Sequence, residues 1–174
     1  MPSLPKTILA TGKYMRLVRE GHWEYAERVI VSGAVVIVAV TPEGKLLLTE
    51  QYRIPVKNSV IELPAGLVGD IPGEADEQLA TAAHRELLEE TGYTAKRMVQ
   101  VAHGPISAGF GTETISFFRA SGLKKVQAGG GVENENIRVH EIHVDRVPAW
   151  LKKQSRAGLL VDPKVFAGLY FATP

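Results

Sequence analysis

The segment Arg85-Glu86-Leu87-Leu88-Glu89-Glu90-Thr91-Gly92 sets three carboxylates within five positions. On a helix, Glu86 and Glu90 lie about 40° apart and Glu86 and Glu89 about 60° apart, so all three share one arc. Like charges at that spacing cost about 0.2–0.5 kcal/mol per pair. They also stand in the last turns, where the negative end of the helix dipole disfavours anions. Two unfavourable placements in one turn point to a cation. A hard divalent ion such as Mg²⁺ takes carboxylate oxygens together with water and substrate phosphate oxygens. The competing reading is a solvated acidic face in which Arg85 pairs with Glu89 at i,i+4. Helix geometry alone does not choose between them.

The elements that must carry this arc follow from periodicity. Leu79, Ala82, Ala83 and Leu87 recur at helical spacing and predict a helix from about Asp76 to Thr91, stopped by Gly92. The chain before it reads as strands. Tyr14–Glu20 and Trp23–Val31 flank the turn Gly21-His22. Ala34–Val40 and Lys45–Gln51 flank Thr41-Pro42-Glu43-Gly44, and Val60–Leu63 ends at Pro64. Ala65–Gly73 reads as a loop. Strands resume near Lys96–Ala102, Thr112–Ala120 and Ile137–Val144, and Gly129-Gly130-Gly131 predicts a flexible loop before the last of them. Two helices close the chain: Val147–Gln154, and one opened by Asp162-Pro163 that runs to about Phe171 with Phe166, Leu169 and Tyr170 inward. Strands, a central helix, strands, then helices make an α+β pattern.

The 174 residues are 45% hydrophobic and 22% charged, which predicts one soluble domain over residues 1–174. Twenty Lys+Arg against nineteen Asp+Glu leave no charge excess that would direct the chain to nucleic acid or a membrane surface. Without cysteine, thiolate catalysis and Cys-based zinc sites are excluded, and a reducing, cytoplasmic location is expected. No apolar run has the length of a signal peptide or membrane span. The five histidines show no metal-ligand spacing.

The helical segment resembles the Nudix box: Gly, five residues, Glu, seven residues, then Arg-Glu-apolar-any-Glu-Glu-any-Gly-apolar. Arg85 to Tyr93 match the second half at every specified position. In the first half the Glu falls on Glu77, but the Gly position holds Ile71. A three-residue insertion restores the pattern with Gly66 as the glycine and leaves Glu74 and Glu77 competing for one role. The resemblance implies an α/β/α sandwich around a mixed sheet, with an N-terminal antiparallel hairpin (residues 1–32) that could serve dimerisation. It also implies hydrolysis of a nucleoside diphosphate linked to a second moiety, with Mg²⁺ or Mn²⁺. Carried over by position, Glu86 and Glu90 are the principal metal ligands, Glu89 assists, the Ala65 carbonyl is a further ligand and Arg85 orients the carboxylates.

Flanking segments are similar to the ADP-ribose and nucleoside diphosphate sugar branch: Trp23 to Arg28, Glu50-Gln51-Tyr52-Arg53, and Glu62-Leu63-Pro64-Ala65-Gly66. That resemblance gives Arg53 a phosphate or ribose contact, for which a guanidinium is suited. It gives Trp23 a stacking role on the base, across a homodimer interface in relatives, and Arg28 a contact to base or phosphate. Ser107 to Glu113 resembles the ligand loop, with Ala108 where the branch has proline, which leaves room for sugars other than ADP-ribose. Glu113 is a ligand or metal contact, or a strand-end ion pair. The general base aligns with Glu135, with Glu133 as runner-up, on a loop that can swing over substrate. The competing readings are core packing for Trp23, a surface ion pair for Arg53 and an exposed acidic loop for Glu133 and Glu135. Rival functions are a catalytically silent nucleotide-sugar sensor, which the intact carboxylates oppose, and a hydrolase of dinucleoside polyphosphates or capped RNA ends.

Overall fold

Three antiparallel strands come first in the computed structural model, which describes residues 4–29, 33–69, 77–132 and 135–172. They are β1 (Lys6–Thr11), β2 (Met15–Glu20) and β3 (Trp23–Arg28), in that order across one sheet. The sequence predicted only the β2–β3 hairpin. All six residues of β1 are exposed, so the strand carries no burial pattern to read; pairing with β2 and the Lys6–Glu27 ion pair hold it.

The chain continues through β4 (Gly33–Ala39), β5 (Lys45–Arg53), β6 (Asn58–Glu62) and β7 (Ala65–Val68) into α1 (Leu79–Thr91). After it come β8 (Tyr93–Thr94), β9 (Arg97–Pro105), β10 (Thr114–Ser121), β11 (Lys124–Lys125) and β12 (Arg138–His143). The chain closes with α2 (Val147–Arg156), β13 (Leu160–Val161) and α3 (Pro163–Ala172). Two four-stranded mixed sheets result, β7-β4-β10-β9 and β12-β5-β6-β13; β4/β10 and β6/β13 are the parallel pairs.

Apolar residues on both faces of β4 and β5 explain the layering. Val35, Ile37, Ala39 and Leu47 pack with Ala82, Ala83 and Leu87 of α1. Val36, Val38, Leu46 and Leu48 pack with Leu151 of α2 and Val165 of α3. Helices therefore cover both faces of the strands, the expected α/β/α arrangement. Burying each such aliphatic side chain stabilises the fold by about 1.5–3 kcal/mol.

Two readings are corrected. The segment after Pro64 does not begin as a loop: Ala65–Val68 is a strand, paired antiparallel with β4 from Val36↔Ala65 to Gly33↔Val68. Four residues including a glycine give no recognisable strand pattern, and the partner supplies it. In α3, Leu169 packs inward as expected, but Phe166 and Tyr170 point outward, 56% and 77% exposed. The inward stripe is Val165, Gly168 and Leu169, and a Cβ on Gly168 would lie 2.4 Å from a Leu63 methyl. Close approach of helix to sheet thus sets the rotation of α3, against the preference of two large aromatics for burial. The start of α1 expected near Asp76 lies outside the described residues; the helix is seen from Leu79, with Gln78 as N-cap. Among the described residues no helix is long and apolar enough to cross a membrane.

Candidate active site

Helix α1 buries Ala82, Ala83 and Leu87 against β4 and β7, and the next positions around the helix, Glu86 and Glu90, are drawn down with them. Glu86 is 8% exposed and Glu90 3%. Burying a carboxylate is costly unless it is bonded or paired. The Ala65 amide donates to Glu90 Oε2 at 3.1 Å. Glu86 lies over Gly66, where a Cβ would come within 1.9 Å of its carboxyl carbon, so any side chain there would displace that carboxylate.

Arg85 organises this face. Its Nε and Nη2 donate to the two oxygens of Glu77, each at 3.1 Å, and Nη2 also donates to the Leu67 carbonyl at 3.1 Å. Its Nη1 reaches Glu86 at 2.7 Å and Glu89 at 3.4 Å. Burial works against its charge, but the bond to Glu77 and the charges of Glu86 and Glu77 hold its pKa above the ordinary range. The Arg85 fork, aided against burial by the Gly69 amide, in turn holds the Glu77 carboxyl below its usual value. Glu77 therefore fills one structural place beside the acidic arc; Glu74, its competitor, lies outside the described residues.

The acidic arc opens into a cleft of about 310 Å³. Among the described residues, five carboxylates line it (Glu62, Glu86, Glu90, Glu113, Glu135) against three cations (Arg28, Arg53, Lys164). Burial pushes the Glu90 pKa well above the carboxylate range; the Ala65 amide opposes this, while the charges of Glu86, Glu135 and Glu62 add to it. An excess of anionic oxygen donors around a buried carboxylate is the environment a hard divalent cation neutralises, so the donor set fits Mg²⁺ or Mn²⁺. Among the described residues no three acidic or histidine side chains converge as they stand to hold an ion. Arg85 engages Glu86, and the Ala65 amide engages Glu90.

The other expected residues fall in three places. Arg53, at the end of β5, donates to Glu62 Oε2 at 2.8 Å on the cleft wall. Arg28, at the end of β3, pairs there with Glu113. The loop before Glu113 is tied to β3 by Ala26 N–H to the Phe110 carbonyl (2.8 Å) and Thr112 N–H to the Ala26 carbonyl (3.1 Å). Glu135 lines the cleft as an exposed side chain, its Oε2 accepting the Val132 amide at 3.1 Å. Glu133 lies outside the described residues. Glu89 stays on the Arg85 side and does not line the cleft. Trp23, 52% exposed, lines a separate cavity of about 350 Å³ with Tyr25, Gly109 and Thr112.

Three features go beyond the expectations drawn from the sequence. The predicted flexible loop Gly129-Gly130-Gly131 is a hydrogen-bonded cap: Gly130 donates to the Glu90 carbonyl and Gly131 to that of Glu89. Gln51 and Lys164 also line the cleft. Gln51 alternates with Arg53 along β5, a signal the strand period contained. Lys164 arrives from the far end of the chain, and only the docking of α3 places it there.

Comparison with known proteins agrees with this arrangement. A family model described as the NUDIX domain matches residues 31–159. The chain is 37% identical over 123 residues to a methanol dehydrogenase activator of Bacillus methanolicus, covering 70% of this chain and 64% of that protein. It is 34% identical over 150 residues to an ADP-ribose pyrophosphatase of Bacillus subtilis, covering 82% and 78%. It is 31% identical over 150 residues to a GDP-mannose pyrophosphatase of Pectobacterium atrosepticum, covering 79% and 75%. The crystal structure of an ADP compounds hydrolase superposes with a TM-score of 0.71 at 19% identity, over 97% of this chain and 89% of that one. With the family match spanning most of its length and the box carboxylates gathered on one buried helix face, the chain belongs to the NUDIX family.

Proposed function

We propose that this protein is a Mg²⁺-dependent pyrophosphohydrolase that cleaves the diphosphate of ADP-ribose or another nucleoside diphosphate sugar, giving a nucleoside monophosphate and a sugar phosphate. The observation that carries this reading is the cleft itself, with buried Glu86 and Glu90 on one wall and the cations Arg28, Arg53 and Lys164 around them. The names of the pyrophosphatase relatives agree with that substrate class.

Glu86 and Glu90, with Glu89 assisting and the Ala65 carbonyl as a further donor, would hold the ion. It would neutralise charge on the diphosphate and lower the pKa of water. Arg85 keeps the carboxylates in place. Arg53 and Arg28 orient phosphate, ribose or base, giving up part of their pairing with Glu62 and Glu113. Glu135 accepts the proton of the attacking water as it adds to phosphorus, with Glu133 as the alternative base. Trp23 sits outside this cleft in its own chain, which suits a stacking role toward a partner copy. Apolar Ile8, Leu17 and Trp23 on the exposed N-terminal sheet would be covered in a homodimer. The protein works in the cytoplasm, without a membrane or nucleic-acid partner.

The test is a screen of nucleoside diphosphate sugars with Mg²⁺, read by phosphate release after coupling to a phosphatase. Turnover of at least one, abolished by chelation, is expected. No turnover of any member of the panel would exclude the reading.

A further inference from the structure

Thr49, in the middle of β5, is fully buried. Among the described residues its Oγ1 is the only buried side-chain nitrogen or oxygen without a hydrogen-bond partner in the protein. The three residues before it, Leu46, Leu47 and Leu48, are apolar core. Valine has the same shape and no polar atom to satisfy, and an unpaired buried hydroxyl costs stability. The strand fixes where that hydroxyl stands. Side chains alternate along β5. Leu47 packs in one cluster with Leu87 of α1, and Gln51 lines the cleft with Glu86 and Glu90. Thr49 lies between them on the same face. Leu48 takes the opposite face, against Leu151 of α2. Across the ladder Thr49 pairs with Glu62 of β6, and directly opposed residues share a face. Glu62 lines the cleft, and its charge acts on Glu90. The orphan hydroxyl is therefore set beneath the floor of the acidic cleft, where the core of α1 gives way to carboxylates.

We propose that Thr49 is a positioning residue for the divalent cation, its hydroxyl bonding a water that the cation retains. This rests on the reading of the cleft as a divalent-metal site. Mg²⁺ gives up its hydration reluctantly and keeps several waters when carboxylates bind it. Those waters need partners of their own, and groups behind the ligands tune affinity almost as strongly as the ligands do. A hydroxyl both donates and accepts, so it can meet a water where a further carboxylate would only add to the repulsion among Glu62, Glu86 and Glu90. Thr49 is neutral, buried and held on the sheet, whereas Gln51 and Arg53, the next residues on its face, reach the cleft directly. It lies far from the box in sequence, and only the pairing of β5 with β6 brings it to the carboxylates.

Two measurements on the full chain test the assignment, neither of which needs substrate: calorimetric affinity for Mg²⁺, and Tm with and without Mg²⁺. Thr49→Val keeps the shape and deletes the hydroxyl. Its Tm without metal should hold or rise, because an orphan polar atom has gone. Its Mg²⁺ affinity should fall about 10-fold, the scale for losing a group behind the ligands, and the rise in Tm on adding Mg²⁺ should shrink with it. Thr49→Ser keeps the hydroxyl and should bind Mg²⁺ within about 3-fold of the wild type, even if the lost methyl lowers its Tm. Equal Mg²⁺ affinity in the wild type and Thr49→Val would overturn the assignment, leaving the hydroxyl a buried group that serves no ligand. So would a lower metal-free Tm in Thr49→Val, which would mean that the hydroxyl is bonded within the protein, or a loss of Mg²⁺ affinity in Thr49→Ser as large as in Thr49→Val. If the wild type itself takes up no Mg²⁺, the metal reading of the cleft fails, and the assignment fails with it.

Discussion

The Gly130 amide donates to the Glu90 carbonyl at 2.9 Å, so the loop that carries Glu135 is bonded to the residue whose side chain lines the acidic cleft. Gly131 repeats the contact one residue back, to the Glu89 carbonyl at 3.0 Å. The last carbonyls of a helix have no partner within it, and here the loop supplies one. The backbone pays for this with φ of 75°, 114° and 85° at Gly129, Gly130 and Gly131, values that L side chains rarely adopt. At Gly131 a Cβ would also come within 2.5 Å of a Glu135 carboxylate oxygen. Gly131→Ala should therefore displace Glu135 and lower kcat about 10-fold or more, with KM little changed, the signature of a group acting in the transition state. Steady-state kinetics check it; an unchanged kcat would show that the loop does not position the base.

Glu90→Gln keeps size and helix propensity and removes a charge from the buried arc. A loss of kcat of at least ~10²-fold is expected, the scale for removing a charge-stabilising group. Tm in the absence of divalent ions should hold or rise, because a buried carboxylate among Glu86, Glu135 and Glu62 is relieved. Mg²⁺ should raise the Tm of the wild type and not of the variant, since an ion bound only by the native state stabilises it by mass action. A full Mg²⁺ shift in the variant would remove Glu90 from the metal site.

The two loop glutamates separate by kinetics. Glu135→Gln should lower kcat with little effect on KM, and Glu133→Gln should do less. The reverse order would assign the base to Glu133.

Arg53→Ala should raise KM for every nucleoside diphosphate sugar, whichever base it carries, by about 10- to 150-fold for a fork of charge-assisted bonds worth about 1.5–3 kcal/mol. Trp23→Ala should weaken purine substrates more than pyrimidine ones if the ring stacks, at about 1–3 kcal/mol per base. Measuring KM for one purine and one pyrimidine nucleotide sugar, with Tm alongside, separates stacking from packing.

Acid stability has a specific source on β12, which pairs with β5. Tyr93 Oη donates to Glu141 Oε1 at 2.7 Å and Lys125 lies at 3.1 Å. The Tyr93 bond first, then Lys125, hold the Glu141 carboxyl below its ordinary value near 4.5. A folded-state pKa lower than the unfolded one gives stability that is present above about pH 4.5 and lost as pH falls through the folded value. The same network, after burial, pushes the Tyr93 hydroxyl up to about 12. Glu141→Gln should flatten the decline of Tm between neutral and acid pH. An undiminished decline would place the acid sensitivity elsewhere.

The acidic arc, its helix and the stop at Gly92 were legible in the sequence because each is a local matter: helical period, i,i+4 spacing and a left-handed C-cap at φ 77°. The apolar runs of β4 and β5 announced buried strands for the same reason. Neighbours along the chain settle such features, so the residues suffice to read them. What α1 faces was a tertiary decision. The strand Ala65–Val68 exists only because β4 pairs with it, and that pairing slides Gly66 under Glu86. The glycine loop became a cap because it found unsatisfied carbonyls, not because its composition asked for one. Trp23 fell outside the acidic cleft of its own chain and Lys164 fell inside it, from opposite ends of the sequence. Side-chain chemistry chooses what each residue can do, but contacts made across more than a hundred residues depend on how the layers close, and no local pattern encodes that closure.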